Sequence, residues 1–155
     1  MIIRTDRLIL RPFETEDFCW FKEVAMNEEV GALLPGIACG NDRAIGDTIA
    51  LYIKGDFKND FYFVICGNNG NSLGIIIATR TTSVIVDVSY FLKKEFRHQG
   101  YMKEAVREFV KQARKVCELY KFRFVIAGYN NASLNVVKSL GATVNNVCGH
   151  YVCYL

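Results

Sequence analysis

The amino-acid sequence predicts an α+β fold built on a mixed, mostly antiparallel sheet. Three apolar runs joined by short turns, Phe61 to Cys66, Leu73 to Thr79 and Val84 to Leu92, are typical of an antiparallel meander. A long amphipathic segment, Gly100 to Tyr120, leads to a further apolar run, Phe122 to Tyr129. A strand, a crossover helix and a second strand in one sheet form a right-handed parallel unit, so we expect the last two runs to be parallel neighbours.

Length and composition limit the class of protein. A chain of 155 residues suits one compact domain, here residues 1–155, and a hydrophobic content of 51% argues against disorder. The 19 basic and 16 acidic residues are scattered along the chain, so no nucleic-acid partner is indicated. No apolar run approaches the ~20 residues that cross a bilayer, so we expect no membrane partner and a cytoplasmic location. The oligomeric state, monomer or homodimer, is left open.

The cysteine pattern indicates buried, reduced thiols. None of the six cysteines forms a CxxC pair, and all fall in or beside apolar runs, which disfavours both a metal site and a disulfide framework. These residues are Cys19, Cys39, Cys66, Cys117, Cys148 and Cys153.

The amino-terminal third predicts one strand and two helices. Arg7 to Arg11 alternates in polarity and stops at Pro12, as a strand at or near a sheet edge does. Glu14 to Met26 has acidic residues in its first turn and apolar residues at helical spacing. The glycine-rich segment Gly31 to Asp42 predicts a loop, and a short helix follows from about Ala44.

The carboxyl-terminal half predicts the longest helix, a short helix and a hairpin. Between Gly100 and Tyr120, apolar and charged residues separate onto two helical faces. Asn131 to Gly141 predicts a helix that ends at its glycine, and Thr143 to Leu155 predicts a closing hairpin.

The turn Arg97 to Gly100, between a strand and the long helix, predicts an anion-binding site. Ligands of open α/β sheets bind at the carboxyl ends of strands, and a helix start there offers unpaired N–H groups and a positive dipole end. The bare backbone of Gly100 allows close approach, and Arg97, His98 and Lys103 add positive charge. The backbone donors would be Gln99, Gly100, Tyr101, Met102 and Lys103. The alternative is a tight turn with solvated basic side chains.

A second polar segment, beginning at Asn130 with Ser133 following, ends the next predicted strand. A helix of about 20 residues advances ~30 Å and a strand of about nine returns ~30 Å, so Asn130 should lie level with Gly100. Taken alone, Asn130 or Asn131 would be plain helix caps. Together, the two segments at matched spacing indicate a shared binding site.

These segments resemble the GNAT superfamily of acyl-CoA-dependent N-acetyltransferases, whose signature Q/R-x-x-G-x-G/A matches Arg97 to Met102. Within it, the sequence is similar to the RimJ/RimL-type branch of ribosomal-protein N-terminal acetyltransferases. The likeness is carried by Thr5 to Asp17, Val86 to Ala105 and Asn130 to Ala142, which together span almost the whole chain.

The resemblance implies a GNAT-like (acyl-CoA N-acyltransferase) fold with helices on both faces of the sheet. Its two central parallel strands would splay apart and admit the pantetheine arm of the co-substrate acetyl-CoA, which pairs with strand backbone as a missing strand would. The pyrophosphate would bind the amides after Arg97. The acetyl-CoA-binding residues implied are Val88, Tyr90, Leu92, Arg97, His98, Gln99, Gly100, Tyr101, Met102, Lys103, Asn130 and Ser133.

Three positions depart from the family pattern. Met102 stands where the signature prefers Gly or Ala and could crowd the pyrophosphate turn. Ala142 replaces a usual Phe. Val137 replaces a Tyr that many members use to protonate the departing thiolate, although the RimJ/RimL-type branch often has instead a serine one turn earlier, which Ser133 matches.

Acetyl transfer requires a neutral amine, whereas an α-amino group has a pKa of ~8 and a lysine ~10.4. Asp87, mid-strand where the family often has Glu, is the candidate base; the alternative is a salt-bridged carboxylate on the solvated strand face. Ser133 is the candidate donor to the leaving sulfur; the alternative is an ordinary first-turn serine. His98 and His150 are weaker candidates. We expect direct attack in a ternary complex, because no Cys has a suggested histidine partner.

The expected partners are acetyl-CoA and a primary amine, either a protein or peptide N-terminus or a small molecule. Gly31 to Asp42, Ala44 to Ile53 and Asn145 to Tyr151 are expected to contact the acceptor. The alternative function is a non-catalytic acyl-CoA-binding module, suggested by Met102 and Val137.

Overall fold

Eight strands and four helices are assigned in the computed structural model, which describes residues 1–27, 30, 41–116 and 120–155. The strands are β1 (Ile3–Arg4), β2 (Leu8–Pro12), β3 (Asp60–Gly67), β4 (Ser72–Arg80), β5 (Ile85–Leu92), β6 (Lys121–Ala127), β7 (Thr143–Val147) and β8 (His150–Tyr154). The helices are α1 (Phe18–Ala25), α2 (Asp42–Ile53), α3 (Tyr101–Val116) and α4 (Asn131–Lys138). Short 3-10 turns cover Thr15–Asp17 and Lys94–Phe96.

The strands form one sheet in the order β1-β2-β3-β4-β5-β6-β8-β7. Neighbouring strands are antiparallel except β5 and β6, which are parallel. The meander is regular enough that Phe63 of β3 lies opposite Ile76 of β4, which lies opposite Tyr90 of β5. The predicted mixed, mostly antiparallel sheet with one parallel pair is therefore confirmed.

Two apolar cores lie on opposite faces of this sheet. On one face α3 and α4 cover the central strands, and the ring of Phe109 meets those of Phe61, Phe63 and Phe122 at 5.7, 6.1 and 5.8 Å between centroids. On the other face α1 and α2 pack over β3 and β4, with Phe21 among the fully buried residues. Helices therefore cover both faces, as expected.

The parallel pairing of β5 and β6 is short. It joins only Ile85 to Lys121, Val86 to Phe122 and Asp87 to Arg123. Beyond this point β5 continues beside β4 as far as Leu92, whereas β6 continues beside β8. The two strands separate after their first three residues, so the predicted splay is confirmed. We call the region between β5 after Asp87 and β6 after Arg123 the strand opening.

Several element boundaries differ from the predictions. The first helix divides into a 3-10 turn and α1, because the capping pair Glu14 and Asp17 closes a separate turn. Helix α2 begins at Asp42, two residues before Ala44, because the Asn41 side chain accepts the Ala44 N–H. Helix α4 ends at Lys138, and Gly141 follows with a φ of +88°.

Residues 31–40 of the predicted acceptor loop Gly31 to Asp42 lie outside the described residues. Residues 117–119 of the predicted helix Gly100 to Tyr120 also lie outside them. Cys39 and Cys117 fall there. Of the other cysteines, Cys66 and Cys153 are buried as expected, but Cys19 and Cys148 are exposed, which corrects the prediction. Cys19 lies on the solvent side of α1, and Cys148 lies in the β7–β8 turn with a φ of +49°.

Among the described residues, none of the helices combines the length and the apolarity that a bilayer crossing requires.

Candidate active site

The backbone of β5 from Val88 to Leu92 borders the strand opening on one side. The side chains of Val88 and Leu92 are buried against α3, so these residues can offer only backbone groups to a ligand. Tyr90, between them, is partly buried, and its hydroxyl donates to the carbonyl oxygen of Ser133 at 3.1 Å. Burial raises the pKa of Tyr90 above its usual value, so the phenol stays protonated and remains a donor at neutral pH. Tyr90 thereby connects β5 to the start of α4 across the opening.

Helix α3 begins at the carboxyl end of β5, where the sequence predicted an anion site. Gly100 has a φ of +80° and His98 a φ of +61°, so the chain turns sharply here through two left-handed residues. The first intrahelical bond runs from the Glu104 N–H to the Gly100 carbonyl. The N–H groups of Tyr101, Met102 and Lys103 precede this bond and have no acceptor within the helix. We call the N–H groups of residues 99–103 the amide cluster.

The side chains around the amide cluster differ in what they contact. Arg97 turns back to β5, where its Nε donates to the Leu92 carbonyl at 2.9 Å and its guanidinium lies 5.5 Å from the Phe91 ring. The Gln99 amide donates to the Glu95 carbonyl at 2.9 Å. His98 is exposed and Lys103 is half-buried. Arg97 and Gln99 thus shape the turn through contacts with the chain itself.

Met102, which departs from the family signature, does not crowd this turn. Its side chain is buried in the core beneath α3, with only 7% exposed, while its N–H remains at the helix start. Val137 is fully buried in the same core. Val137 therefore packs in the core under α4, and its apolar side chain cannot protonate a leaving thiolate.

Asn130 and Ser133 meet at the start of α4. The Asn130 side chain accepts the Ser133 N–H at 3.1 Å, so Asn130 is the amino-terminal cap of the helix. The Ser133 carbonyl is the acceptor for Tyr90. The Asn130 side chain is therefore a helix cap in this structure, which was the alternative interpretation. Both the N–H and the carbonyl of Ser133 are hydrogen-bonded, the first to Asn130 and the second to Tyr90.

Asp87 lies where β5 and β6 part. Its carboxylate accepts two hydrogen bonds from Arg123, at 2.5 Å from Nε and 2.6 Å from Nη2. These bonds raise the pKa of Arg123. Both side chains are about one third exposed, on the face opposite Val86 and Val88. The salt-bridge alternative for Asp87 is therefore realised, and the pair marks the last register position before the opening.

A set of contacts that the sequence did not predict joins the β1–β2 turn to the start of α3. Thr5 and Arg7 both donate to the Glu104 carboxylate, and Arg7 also donates to the Gln99 carbonyl at 3.0 Å. We call Thr5, Arg7 and Glu104 the Arg7 cluster. Its members are up to 99 positions apart in sequence, so no local spacing could reveal them.

His150 stands in the β7–β8 hairpin, exposed, with Nδ1 3.3 Å from the Cys148 carbonyl. A separate groove of about 210 Å³ lies between α1 and the end of β5. Glu23 and Glu95 line it together with Lys93 and Arg97, so its charge is mixed.

A mixed sheet, an opening between parallel strands and N–H groups without a helical acceptor at the adjoining helix start together define the acyl-CoA N-acyltransferase class. The sequence matches the family described as "Acetyltransferase (GNAT) domain" over residues 7–143. The chain belongs to this family and is an acetyl-CoA-dependent N-acetyltransferase, with acetyl-CoA as co-substrate. No curated protein matches it significantly.

Solved structures share this fold at low sequence identity. A GNAT-family acetyltransferase from Bacillus anthracis has a TM-score of 0.85 and 17% identity, covering 100% of this chain and 98% of that one. A ribosomal-protein-S5-alanine acetyltransferase from Vibrio fischeri has a TM-score of 0.81 and 16% identity, covering 100% and 96%. A spermidine N-acetyltransferase from Vibrio cholerae, in complex with CoA and spermine, has a TM-score of 0.80 and 12% identity, covering 97% and 94%. Similarity at this level of identity shows the fold alone.

Proposed function

We propose that this protein, as a single cytoplasmic domain of the RimJ/RimL-like type, transfers the acetyl group of acetyl-CoA to a protein or peptide N-terminus by direct attack in a ternary complex. The observation that carries the proposal is the short parallel pairing of β5 and β6, which opens beside the amide cluster. A small amine is the second candidate acceptor, favoured by the shared fold of the spermidine N-acetyltransferase.

The co-substrate would lie across the opening and the helix start. Backbone groups of Val88, Tyr90 and Leu92 would pair with the pantetheine arm, since among the described residues β5 has no strand neighbour on that side beyond Asp87. The amide cluster would bind the diphosphate, because unpaired N–H groups and the helix dipole both favour an anion. His98 and Lys103 would add positive charge there. Asn130 and Ser133 would line the thioester end.

The chemistry then needs a base and a donor. The amine nitrogen forms a bond to the thioester carbon, the carbon–sulfur bond breaks, and one proton leaves the amine while the CoA thiolate gains one. Asp87, directly or through water, is the proposed proton acceptor. Arg123 donates to two of the roughly four lone-pair positions of the Asp87 carboxylate, and because this carboxylate is about one third exposed, the other positions are accessible. Ser133 is the proposed donor to the sulfur, and Tyr90 and Asn130 fix its backbone.

Release of free thiol tests the proposal. Purified protein is supplied with acetyl-CoA and, in parallel, with peptides bearing free N-termini, the same peptides with blocked N-termini, spermidine, or no acceptor. We expect CoA release with free N-terminal peptides and acetylation at the α-amino group by mass spectrometry. Release with spermidine alone would instead assign a small-amine acceptor. Tight acetyl-CoA binding without release across the panel would support a non-catalytic acyl-CoA-binding module.

A further inference from the structure

We propose that Arg7 is a positioning residue for the co-substrate: by holding the Gln99 carbonyl, it directs the Gly100 N–H toward the diphosphate of acetyl-CoA. This inference rests on the proposed binding of the diphosphate by the amide cluster.

Arg7 contacts the phosphate turn at three points. Its Nη1 donates to the Gln99 carbonyl at 3.0 Å, its guanidinium lies 4.5 Å above the Tyr101 ring, and its Nη2 is 3.5 Å from where a Cβ on Gly100 would stand. These contacts cover three consecutive residues, the very residues at which the chain turns into α3. A side chain from the β1–β2 turn therefore lies against all three of these residues.

Glu104 fixes the guanidinium in this position. One carboxylate oxygen of Glu104 accepts from Arg7 Nε at 2.7 Å and lies 2.6 Å from Nη2 in an ion pair, and the other accepts from the Arg7 backbone N–H at 3.1 Å. Thr5 donates to that second oxygen at 2.5 Å and closes the β1–β2 turn by accepting the Leu8 N–H. The side chain of Arg7 is thus held by charge-assisted bonds, which are stronger than neutral ones.

The contact between Arg7 and the Gln99 carbonyl also determines where the Gly100 N–H points. The Gln99–Gly100 peptide is trans, so the Gln99 carbonyl and the Gly100 N–H point in opposite directions. Because the carbonyl points at Arg7, the N–H points away from it. Arg7 lies in the β1–β2 turn, and β1 and β2 are on the opposite side of β5 from β6 in the strand order, whereas the strand opening lies between β5 and β6. Under this proposal, pointing away from Arg7 turns the Gly100 N–H toward the β6 side, on which the co-substrate would enter.

Arg7 also neutralises a charge. Glu104 stands in the first turn of α3, close to where a diphosphate would bind, and its carboxylate would repel that ligand if left unpaired. Loss of Arg7 would therefore act in two ways: it would release the Gln99 peptide and expose the carboxylate. Paired substitutions can separate these two effects.

The test compares acetyl-CoA with S-acetyl-pantetheine, a thioester that lacks the diphosphate. For Arg7→Gln we expect KM for acetyl-CoA and Kd for CoA to rise at least tenfold, with kcat within twofold, while kcat/KM for S-acetyl-pantetheine is unchanged. Arg7→Lys should recover only part of the loss, since one ammonium cannot bond Glu104 and Gln99 as a planar guanidinium does. Arg4→Gln, a nearby exposed arginine, is the matched control and should leave both thioesters unaffected.

The double variant Arg7→Gln/Glu104→Gln isolates the orientation of the peptide. It removes the unpaired carboxylate but does not restore the bond to Gln99, so we expect acetyl-CoA binding to stay as weak as in Arg7→Gln. Full recovery would show that Arg7 acts through charge alone and would overturn the proposal. Equal losses with both thioesters would also overturn it, since Arg7 would then only support the fold.

The wild-type protein separates this inference from the proposal on which it rests. If wild type binds CoA no better than pantetheine, the amide cluster does not bind the diphosphate, and the proposed site itself is wrong. If wild type prefers CoA and Arg7→Gln retains that preference, only the inference about Arg7 fails.

Discussion

Gly100 combines an unusual backbone conformation with a position in the proposed diphosphate site. Its φ of +80° strains any other residue, and a Cβ there would stand 3.5 Å from Arg7 Nη2. Gly141 has a similar φ of +88°, but a Cβ there would meet nothing within 4 Å. Since 3.5 Å is an ordinary van der Waals distance, the two glycines share the cost of backbone strain, and they differ in that only Gly100 stands beside the amide cluster.

We expect Gly100→Glu to abolish acetyl-CoA binding, because it places bulk and negative charge beside the amide cluster. Gly141→Ala should cost only stability, on the order of 1 kcal/mol, with CoA binding retained. Isothermal titration with CoA and thermal unfolding measure the two effects. If both variants bind CoA normally, the diphosphate does not lie at Gly100.

Asp87 can be a base or only the partner of Arg123, and the two possibilities predict different kinetics. If Asp87 accepts the proton, Asp87→Asn should lower kcat about 10²-fold or more, change the pH–rate profile and leave CoA binding nearly intact. Arg123→Gln breaks the same ion pair but keeps the carboxylate, so it should lower kcat less. Equal losses in the two variants, with an unchanged pH profile, would remove Asp87 as base and leave the ion pair as its function.

At the level of elements, the position of α3 depends on one aromatic cluster. Phe109 is fully buried among Phe61, Phe63 and Phe122, which come from β3 and β6. We expect Phe109→Ala to destabilise the protein by about 3–5 kcal/mol, since it leaves a cavity between the helix and the sheet. Val116→Ala, at a position 47% exposed at the end of the same helix, should change stability by roughly 0.5 kcal/mol. Urea unfolding followed by circular dichroism measures both, and similar costs would contradict this packing.

The start of α3 is attached to the β1–β2 turn by a bond that depends on pH. Burial alone would raise the pKa of the Glu104 carboxyl, but the hydrogen bonds from Thr5 and Arg7 hold it below its usual value of 4.5. A carboxyl whose pKa is lower in the folded state stabilises the protein above its unfolded pKa, and that contribution is lost as the pH falls through the folded value.

We therefore expect wild type to lose more stability than Glu104→Gln between pH 7 and about pH 3, measured as the free energy of unfolding at each pH. Glu16→Gln, an exposed carboxylate in the 3-10 turn before α1, is the matched control and should follow the wild-type curve. Identical pH dependence in wild type and Glu104→Gln would show that the cluster contributes nothing to folding.

At the level of the whole molecule, the sheet opens between β5 and β6, and a bound co-substrate would bridge this opening. β5 and β6 share three register pairs and then separate, so within the part of the chain that the structure describes, the backbone from Val88 to Leu92 has a strand partner only in β4. Hydrogen exchange should therefore be faster in this segment than in β3, which lies between two strands over most of its length.

Saturating CoA should slow exchange in Val88 to Leu92 and at residues 99–103, and it should leave the edge strand β7 unchanged. The Gly100→Glu variant serves as the control, because it should show no slowing. If protection appeared elsewhere on the surface but not at the opening, CoA would bind at a different site.

The sequence by itself determined the order of the elements, the parallel crossover and the position of the glycine turn before the long helix. These features depend on local periodicity and on the residues at element ends, such as Gly100 and Asn130, whose effects act within a few positions. The side of β5 on which Asp87 stands was equally predictable, since alternation in a strand places neighbours on opposite faces.

Only the tertiary structure decided which side chains meet. The Arg7 cluster joins residues about 97 positions apart, Arg123 reaches Asp87 through the register of two strands, and the Met102 side chain is buried beneath its helix rather than placed in the turn. Periodicity fixes the face on which a residue lies. Its partner depends on the path of the chain and the register between strands, which the packing of the whole sheet determines.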